Sequence, residues 1–301
     1  MAVLDATLDA AADRDVVQDV AASLPENTRT RKRAGTLFWI ALGWIGLVVF
    51  GAMMAGLLPI PSPTDIDMMG RRAGPSGEHW LGTDGLGRDE FSRLLFGARI
   101  SLSVGLLAPI IGLTIGGALG MLAGYFRGKL ETLVAGGVDV VLAFPPLVLA
   151  MAVTAYLGQS VPNLILVLGF LGIPAFTRVA RDATLSLSQR EFVTAARAIG
   201  ASHSRILLRE LLPNVALPLM AFFLLAVAVT IVVEGALSFL GLGVPPPAPS
   251  WGIMIGEGRE SLDVAPWLAF TPAIAMFLTV LAFNLVGDTL RALTDPRPGA
   301  L

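Results

Sequence analysis

The residues able to do chemistry are few and scattered. Cysteine is absent, and His79 and His203 stand alone in loops, so no thiolate or spaced histidine pair is available to a metal or a nucleophilic mechanism. The nearest string to a phosphate-cradling loop, Gly128-Lys129-Leu130, lacks the hydroxyl residue and the correctly spaced leading glycine. No Gly-x-Ser-x-Gly elbow and no His-Glu-x-x-His pair occurs, which leaves no footing for serine-hydrolase or zinc-protease chemistry. What remains are three carboxylates, Asp139, Glu234 and Asp288, in or beside apolar runs. A charge at the centre of a bilayer costs roughly 3 kcal/mol or more unless paired or wet. Each is therefore open to two readings, structural pairing or contact with a translocation path.

The elements that must position these residues are membrane spans. Of all residues 54% are hydrophobic and 15% charged, against about a quarter charged in ordinary globular chains. A spanning helix needs about 20 mostly apolar residues, because backbone polar groups in hydrocarbon must be bonded within their own segment. Six segments qualify: Thr36–Leu58, Ile100–Phe126, Leu133–Leu157, Val161–Ala180, Val215–Ala236 and Trp267–Leu290, the fourth being the shortest. The fold expected is all-α, a polytopic membrane protein of six transmembrane helices. Residues 1–35 form a tail, 36–58 the first span, 59–99 an external loop, 100–293 a core containing loop 181–213, and 294–301 a second tail. The polar leader, with Asp5, Asp9, Asp13 and Asp15 before the basic cluster Arg29–Arg33, reads as a cytoplasmic tail ahead of an uncleaved span.

Lysine and arginine near spans tend to stay in the cytoplasm. Placing both termini inside leaves only Arg71, Arg72, Arg88, Arg93, Arg99 and Arg259 outside, so 21 minus 6, or fifteen, are inside. Within the second span Gly112, Gly116, Gly120 and Gly124 recur every four residues, a stripe that reads first as close helix packing, with a sliding surface in a moving transporter as the sharper alternative.

Between the fourth and fifth spans lies Arg181–Pro213. There Phe192, Ala195, Ala196 and Ile199 fall at helical spacing on one face, with Arg190, Glu191 and Arg197 as polar flanks. Gly200 suits a sharp turn, and a second short helix from Ser202 to Leu212 would follow. The predicted shape is a helical elbow in the cytoplasm, resting on headgroups or docking a partner.

This loop resembles a known one. Thr194-Ala195-Ala196, then Gly200, and Leu212-Pro213 are similar to the EAA loop of permease subunits of bacterial ABC importers, with Thr194 where that motif has glutamate and Glu210 at the usual isoleucine position. Other stretches resemble the dipeptide/oligopeptide (peptide/nickel) permeases of the C type: His79-Trp80-Leu81-Gly82-Thr83-Asp84, Gly87-Arg88-Asp89, Leu237–Gly243, Pro245-Pro246-Pro247, Pro249-Ser250-Trp251-Gly252, Glu257-Gly258-Arg259, Phe283-Asn284-Leu285 and Asp295-Pro296-Arg297.

The resemblance implies a type I ABC importer permease fold and half of a translocation pathway for dipeptides or oligopeptides across a bacterial cytoplasmic membrane. The related alternatives are nickel or glutathione import. It implies a second homologous permease, two cytoplasmic ATPases that carry ATP and magnesium, and an external or periplasmic substrate-binding lipoprotein. No cofactor is expected on this chain, and no nucleic acid. Glu191, Thr194, Ala195, Ala196, Gly200, Leu212 and Pro213 would couple it to the ATPase. Gly82, Gly85 and Gly87 with Asp84 and Asp89 are either a capped turn before an interfacial helix or a docking surface for the binding protein. Trp251 and Trp267 after the proline run suggest a scoop anchored at the headgroups. An ion-coupled secondary transporter is the competing class, but no internal repeat is evident and it gives the elbow no role. An intramembrane enzyme lacks its residues.

Overall fold

The computed structural model describes residues 35–294, so the tails read from sequence, residues 1–35 and 294–301, lie outside the described residues apart from Gly35 and Thr294. Among the described residues the regular elements are helices, and the only isolated bridge joins Thr83 and Asp89. The helices are α1 (Thr36–Met54), α2 (Glu90–Phe126), α3 (Gly128–Leu142), α4 (Pro146–Leu157), α5 (Val161–Leu187), α6 (Glu191–Ala198), α7 (His203–Phe239), α8 (Trp251–Arg259) and α9 (Trp267–Thr294).

Five of these, α1, α2, α5, α7 and α9, are long and apolar enough to cross a membrane, and α3 with α4 supplies a sixth crossing if the bent pair is one span. The third expected span is therefore two helices meeting at 79°. The break falls at Phe144-Pro145-Pro146, where proline removes backbone donors and steers the preceding residue out of helical geometry. The fourth span, shortest by hydropathy, belongs to a helix of 27 residues.

The helices overshoot the apolar runs that announced them. α2 and α7 each extend for 37 residues, about 55 Å at 1.5 Å per residue, against a hydrocarbon layer of about 30 Å. The loop expected over 59–99 consequently ends at Asp89, and the separate helix expected from Ser202 to Leu212 is instead the beginning of α7. Hydropathy marks only the greasy part of a helix; polar turns beyond it still satisfy their own backbone.

α5 packs along α2 through the glycine stripe. A Cβ on Gly116 would fall 2.5 Å from the Ile173 carbonyl oxygen, and one on Gly124 2.7 Å from that of Arg181. The two backbones therefore touch, as small residues permit, and a π-helical stretch, Gly112–Gly116, lies in this contact. A second core joins α2, α7, α8 and α9 through Leu102, Val227, Ile231, Trp251 and Phe283. α1 leans on α9, where Trp44 Nε1 donates to Thr279 Oγ1 at 3.1 Å. Most other large side chains of α1, including Trp39, Leu47 and Phe50, are exposed, as a lipid-facing helix requires.

Candidate functional site

At one end of the bundle, here the elbow end, α5 stops at Leu187, and α6 crosses before the chain turns at Gly200 into α7. Gly200 has φ +81°, a left-handed conformation that costs other residues roughly 1–2 kcal/mol, and Ser202 then caps α7 by accepting from Arg205 N at 3.4 Å. Val193 and Ala196 are the buried positions of α6 and pack with Tyr125, Ile206 and Leu211. Phe192, Ala195 and Ile199 instead face away from the body, Ile199 with 79% of its surface exposed. The expected face is thereby split: Ala196 anchors the helix, while the other three form an apolar strip flanked by Glu191, Thr194 and Arg197.

The elbow is tied to the spans by groups that sequence reasoning missed. Tyr125, at the end of α2, shares a 2.8 Å hydrogen bond with His203 Nδ1, and the Arg197 guanidinium lies 5.4 Å from the Tyr125 ring centre. Leu212 and Pro213 are exposed and follow a π-helical run, Ile206–Leu211. Proline cannot bond to the carbonyl four residues back and crowds it, which accounts for a widened turn there. Nothing in the spacing of Tyr125, Arg197 and His203 along the chain announces their meeting.

The three carboxylates are not brought together. Glu234 is wholly buried, accepting from Ser101 Oγ at 2.9 Å and Ser238 Oγ at 2.7 Å; Ser101 Oγ in turn accepts from Trp251 N at 3.3 Å. Its surroundings are those of structural pairing, holding α8 against α2 and α7. Asp139 pairs with Arg178 at 2.9 Å on the surface, linking α3 to α5. Asp288 is exposed on α9.

The far end of the bundle holds a charged network. Asp84 Oδ1 accepts from Leu86 N and Arg88 N at 2.8 and 3.0 Å, and Asp89 caps α2 by accepting from Ser92 N at 2.7 Å while contacting His79 Nδ1 at 2.9 Å. The motif from His79 to Asp89 is thus a capped turn leading into α2. Arg88 bridges Asp84 at 2.6 Å and Glu257 at 2.9 Å, and Arg93 reaches Glu257 at 2.6 Å. These pairs clamp α8 to the first turn of α2. Trp251 does not anchor at a headgroup level: it is 1% exposed, donating from Nε1 to Leu94 O at 3.1 Å. The amphipathic aromatic expected at an interface is here a core residue because α8 folds back between α2 and α7.

Comparison with known proteins bears on both ends. The model of the family described as "Binding-protein-dependent transport system inner membrane component" matches residues 116–299. The glutathione transport system permease protein GsiD of Escherichia coli O6:K15:H31 (strain 536 / UPEC) is 46% identical over 257 residues, 85% of each chain. Its counterpart in Pectobacterium atrosepticum is 43% identical over 241 residues, 80% of each. Among solved structures, an inward-facing conformation of the MetNI methionine ABC transporter is similar with a TM-score of 0.57 at 20% identity, covering 67% of this chain and 97% of that one.

Proposed function

The chain belongs to the binding-protein-dependent transport system inner membrane components, and from that premise we propose that it forms half of the pathway by which an ABC importer moves short peptides across a bacterial cytoplasmic membrane. It is a multi-pass permease subunit of an ABC importer. The finer reading concerns its cargo, its orientation and how it receives force.

The observation that carries the mechanical reading is the outward apolar strip of α6, Phe192, Ala195 and Ile199, presented on a helix anchored by Val193 and Ala196. A strip this exposed beyond the spans suits a cleft in a partner. In this reading the partner is an ATPase, the elbow lies in the cytoplasm with both termini, and the far end faces the binding protein. Glu191, Thr194, Ala195, Ala196 and Gly200 make or shape the joint, with Leu212 and Pro213 at its root. ATP and magnesium are held by the partners.

ATP-driven closure of two ATPases would shift α6. Because α6 packs on Tyr125, Ile206 and Leu211, that shift would load the ends of α2 and α7 together, and the α2–α5 contact would carry it inward. The result is exchange between inward-open and outward-open states. Short peptides, including a tripeptide such as glutathione, are the proposed cargo, supported by the relatives named as glutathione permeases. The motifs that resemble those of peptide permeases, among them His79–Asp84 and Pro249–Gly252, point the same way.

The test replaces the strip. Phe192→Asp with Ile199→Asp is expected to leave the permease in the membrane while reducing co-purifying ATPase and ATP-driven peptide uptake at least tenfold, since charge in the centre of a docking surface is costly. Full ATPase capture by this variant defeats the coupling assignment. Uptake that vanishes with ion gradients and ignores ATP defeats the importer mechanism.

A further inference from the structure

Toward the elbow end, α2 and α7 part and leave a groove of 600 Å³ open at the surface, within the range of about 300–1,000 Å³ usual for small-molecule sites. Gly117, Ala118 and Met121 line it from α2, and Leu208, Ala216 and Met220 from α7. Small residues leave the hollow: even a Cβ on Gly117 would meet Leu219 Cδ1 only at 3.5 Å. Thr114 and Ser204 supply the only hydroxyls of the lining. Thr114 Oγ1 donates within its own helix, to Ile110 O at 2.8 Å, and Ser204 stands at the mouth, in the first turn of α7. The depth of the groove therefore offers no partner to a polar cargo, and burying unpartnered polar groups is costly.

Its length matches a leaflet. From Ser204 to Met220 the lining follows α7 for about 24 Å at 1.5 Å per residue, against about 20–22 Å for half a bilayer with its headgroups. The charge lies at one end only. Arg205 and Arg209 directly follow the lining residues Ser204 and Leu208, and both are exposed. Among the described residues neither forms an ion pair, and Glu210 beside them pairs with neither. Two other cations at this end are already engaged: Arg127 Nη2 donates to Ser188 Oγ at 3.4 Å, and Arg197 lies against the Tyr125 ring.

We propose that this groove seats an acyl chain of an anionic phospholipid from the leaflet at the elbow end, with the phosphate of its headgroup held by Arg205 and Arg209. Burial of the chain supplies the anchorage, and guanidinium-to-phosphate bonds supply the choice of headgroup. A peptide would find nothing in the groove to satisfy its backbone. A second copy of this chain, seated alongside in the same orientation, would bring its own Arg205 and Arg209 to the level of these two, like charge against like. A zwitterionic lipid fills the same space but carries a cationic group that the arginines oppose.

The experiment uses the assembled transporter, this chain with its partner permease and ATPases, in mixed micelles. Phosphatidylglycerol and phosphatidylcholine, each with a photoactivatable group on one acyl chain, are supplied in turn at equal mole fraction, and the labelled residues are mapped by peptide mass spectrometry. Lipid-facing Leu47 and Phe50 on α1 serve as the reference and should take up both lipids alike. In the groove, phosphatidylglycerol should label at least fivefold more than phosphatidylcholine, the worth of one arginine near an anionic lipid. Arg205→Gln with Arg209→Gln should bring the two lipids within about twofold. Salt at about 1 M, where the screening length falls to about 3 Å, should narrow the wild-type preference likewise, which decides the matter should the double variant fail to assemble. Ala118→Trp, at an exposed position of the lining, should lower groove labelling by either lipid at least fivefold without changing the reference. Equal labelling by the two lipids in wild type, a preference untouched by the arginine substitutions or by salt, or an unchanged groove signal in Ala118→Trp overturns the proposal. So does a groove that neither lipid labels while α1 is labelled, since a protein partner would then cover it.

Discussion

Gly200, at the turn of the elbow, and Glu234, buried within α7, have surroundings that predict opposite behaviour on substitution. A Cβ at Gly200 would meet nothing within 4 Å, so Gly200→Ala acts only through its left-handed backbone, at a cost of roughly 1–2 kcal/mol. The expected outcome is normal membrane insertion with ATP hydrolysis less affected than uptake, read as a falling ratio of peptide moved to ATP consumed; an unchanged ratio would argue against the turn as part of the joint. Glu234 has no such freedom. Replacing it by alanine leaves the Ser101 and Ser238 hydroxyls without their acceptor, at a cost of roughly 1–3 kcal/mol for each buried group left unsatisfied. Thermal unfolding in detergent should show Glu234→Ala markedly less stable and Glu234→Gln intermediate, since the amide retains one acceptor. Equal stability of alanine and glutamine variants would show that the serines do not depend on it.

Among the elements, the α2–α5 contact is the one whose sequence signal said most and least at once. The four-residue glycine period gives the stripe, but not which helix it meets; Ile173, Phe176 and Thr177 on α5 are found against Gly112 and Gly116 only in the folded chain. Gly116→Val should therefore cost roughly 1–3 kcal/mol by overpacking. Gly136→Val on α3, where a Cβ meets nothing within 4 Å, should stay within about 0.5 kcal/mol. Comparable melting temperatures for the two would mean that the helices can separate at no cost. The elbow shows the complementary case. Its helical spacing was legible in Phe192–Ile199, yet a period of 3.6 on eight residues fits several faces, and burial of Val193 in place of Phe192 follows from where Tyr125 and Leu211 stand.

For the whole molecule, the testable quantity is which end faces which compartment. The chain has no cysteine, so single-cysteine variants can be labelled without further changes. Thr64→Cys, exposed before α2, should react with a membrane-impermeant maleimide on intact spheroplasts, whereas Gln189→Cys, exposed at the elbow, should react only after lysis. Labelling in the reverse order would invert the arrangement and place the charged network on the ATPase side.

Composition and the apolar runs determined by themselves that this is an all-α membrane protein, because a bilayer demands long helices and such runs are visible one residue at a time. The family likeness was equally local, carried by Thr194-Ala195-Ala196, Gly200 and the stretches around His79 and Trp251. Tertiary structure alone decided what the polar residues do. Glu234 lies 133 residues from Ser101 along the chain, and Arg93 lies 164 from Glu257, separations at which no local period operates. Glu234 met Ser101 only when α7 packed on α2, and Arg93 met Glu257 only when α8 folded back onto the first turn of α2.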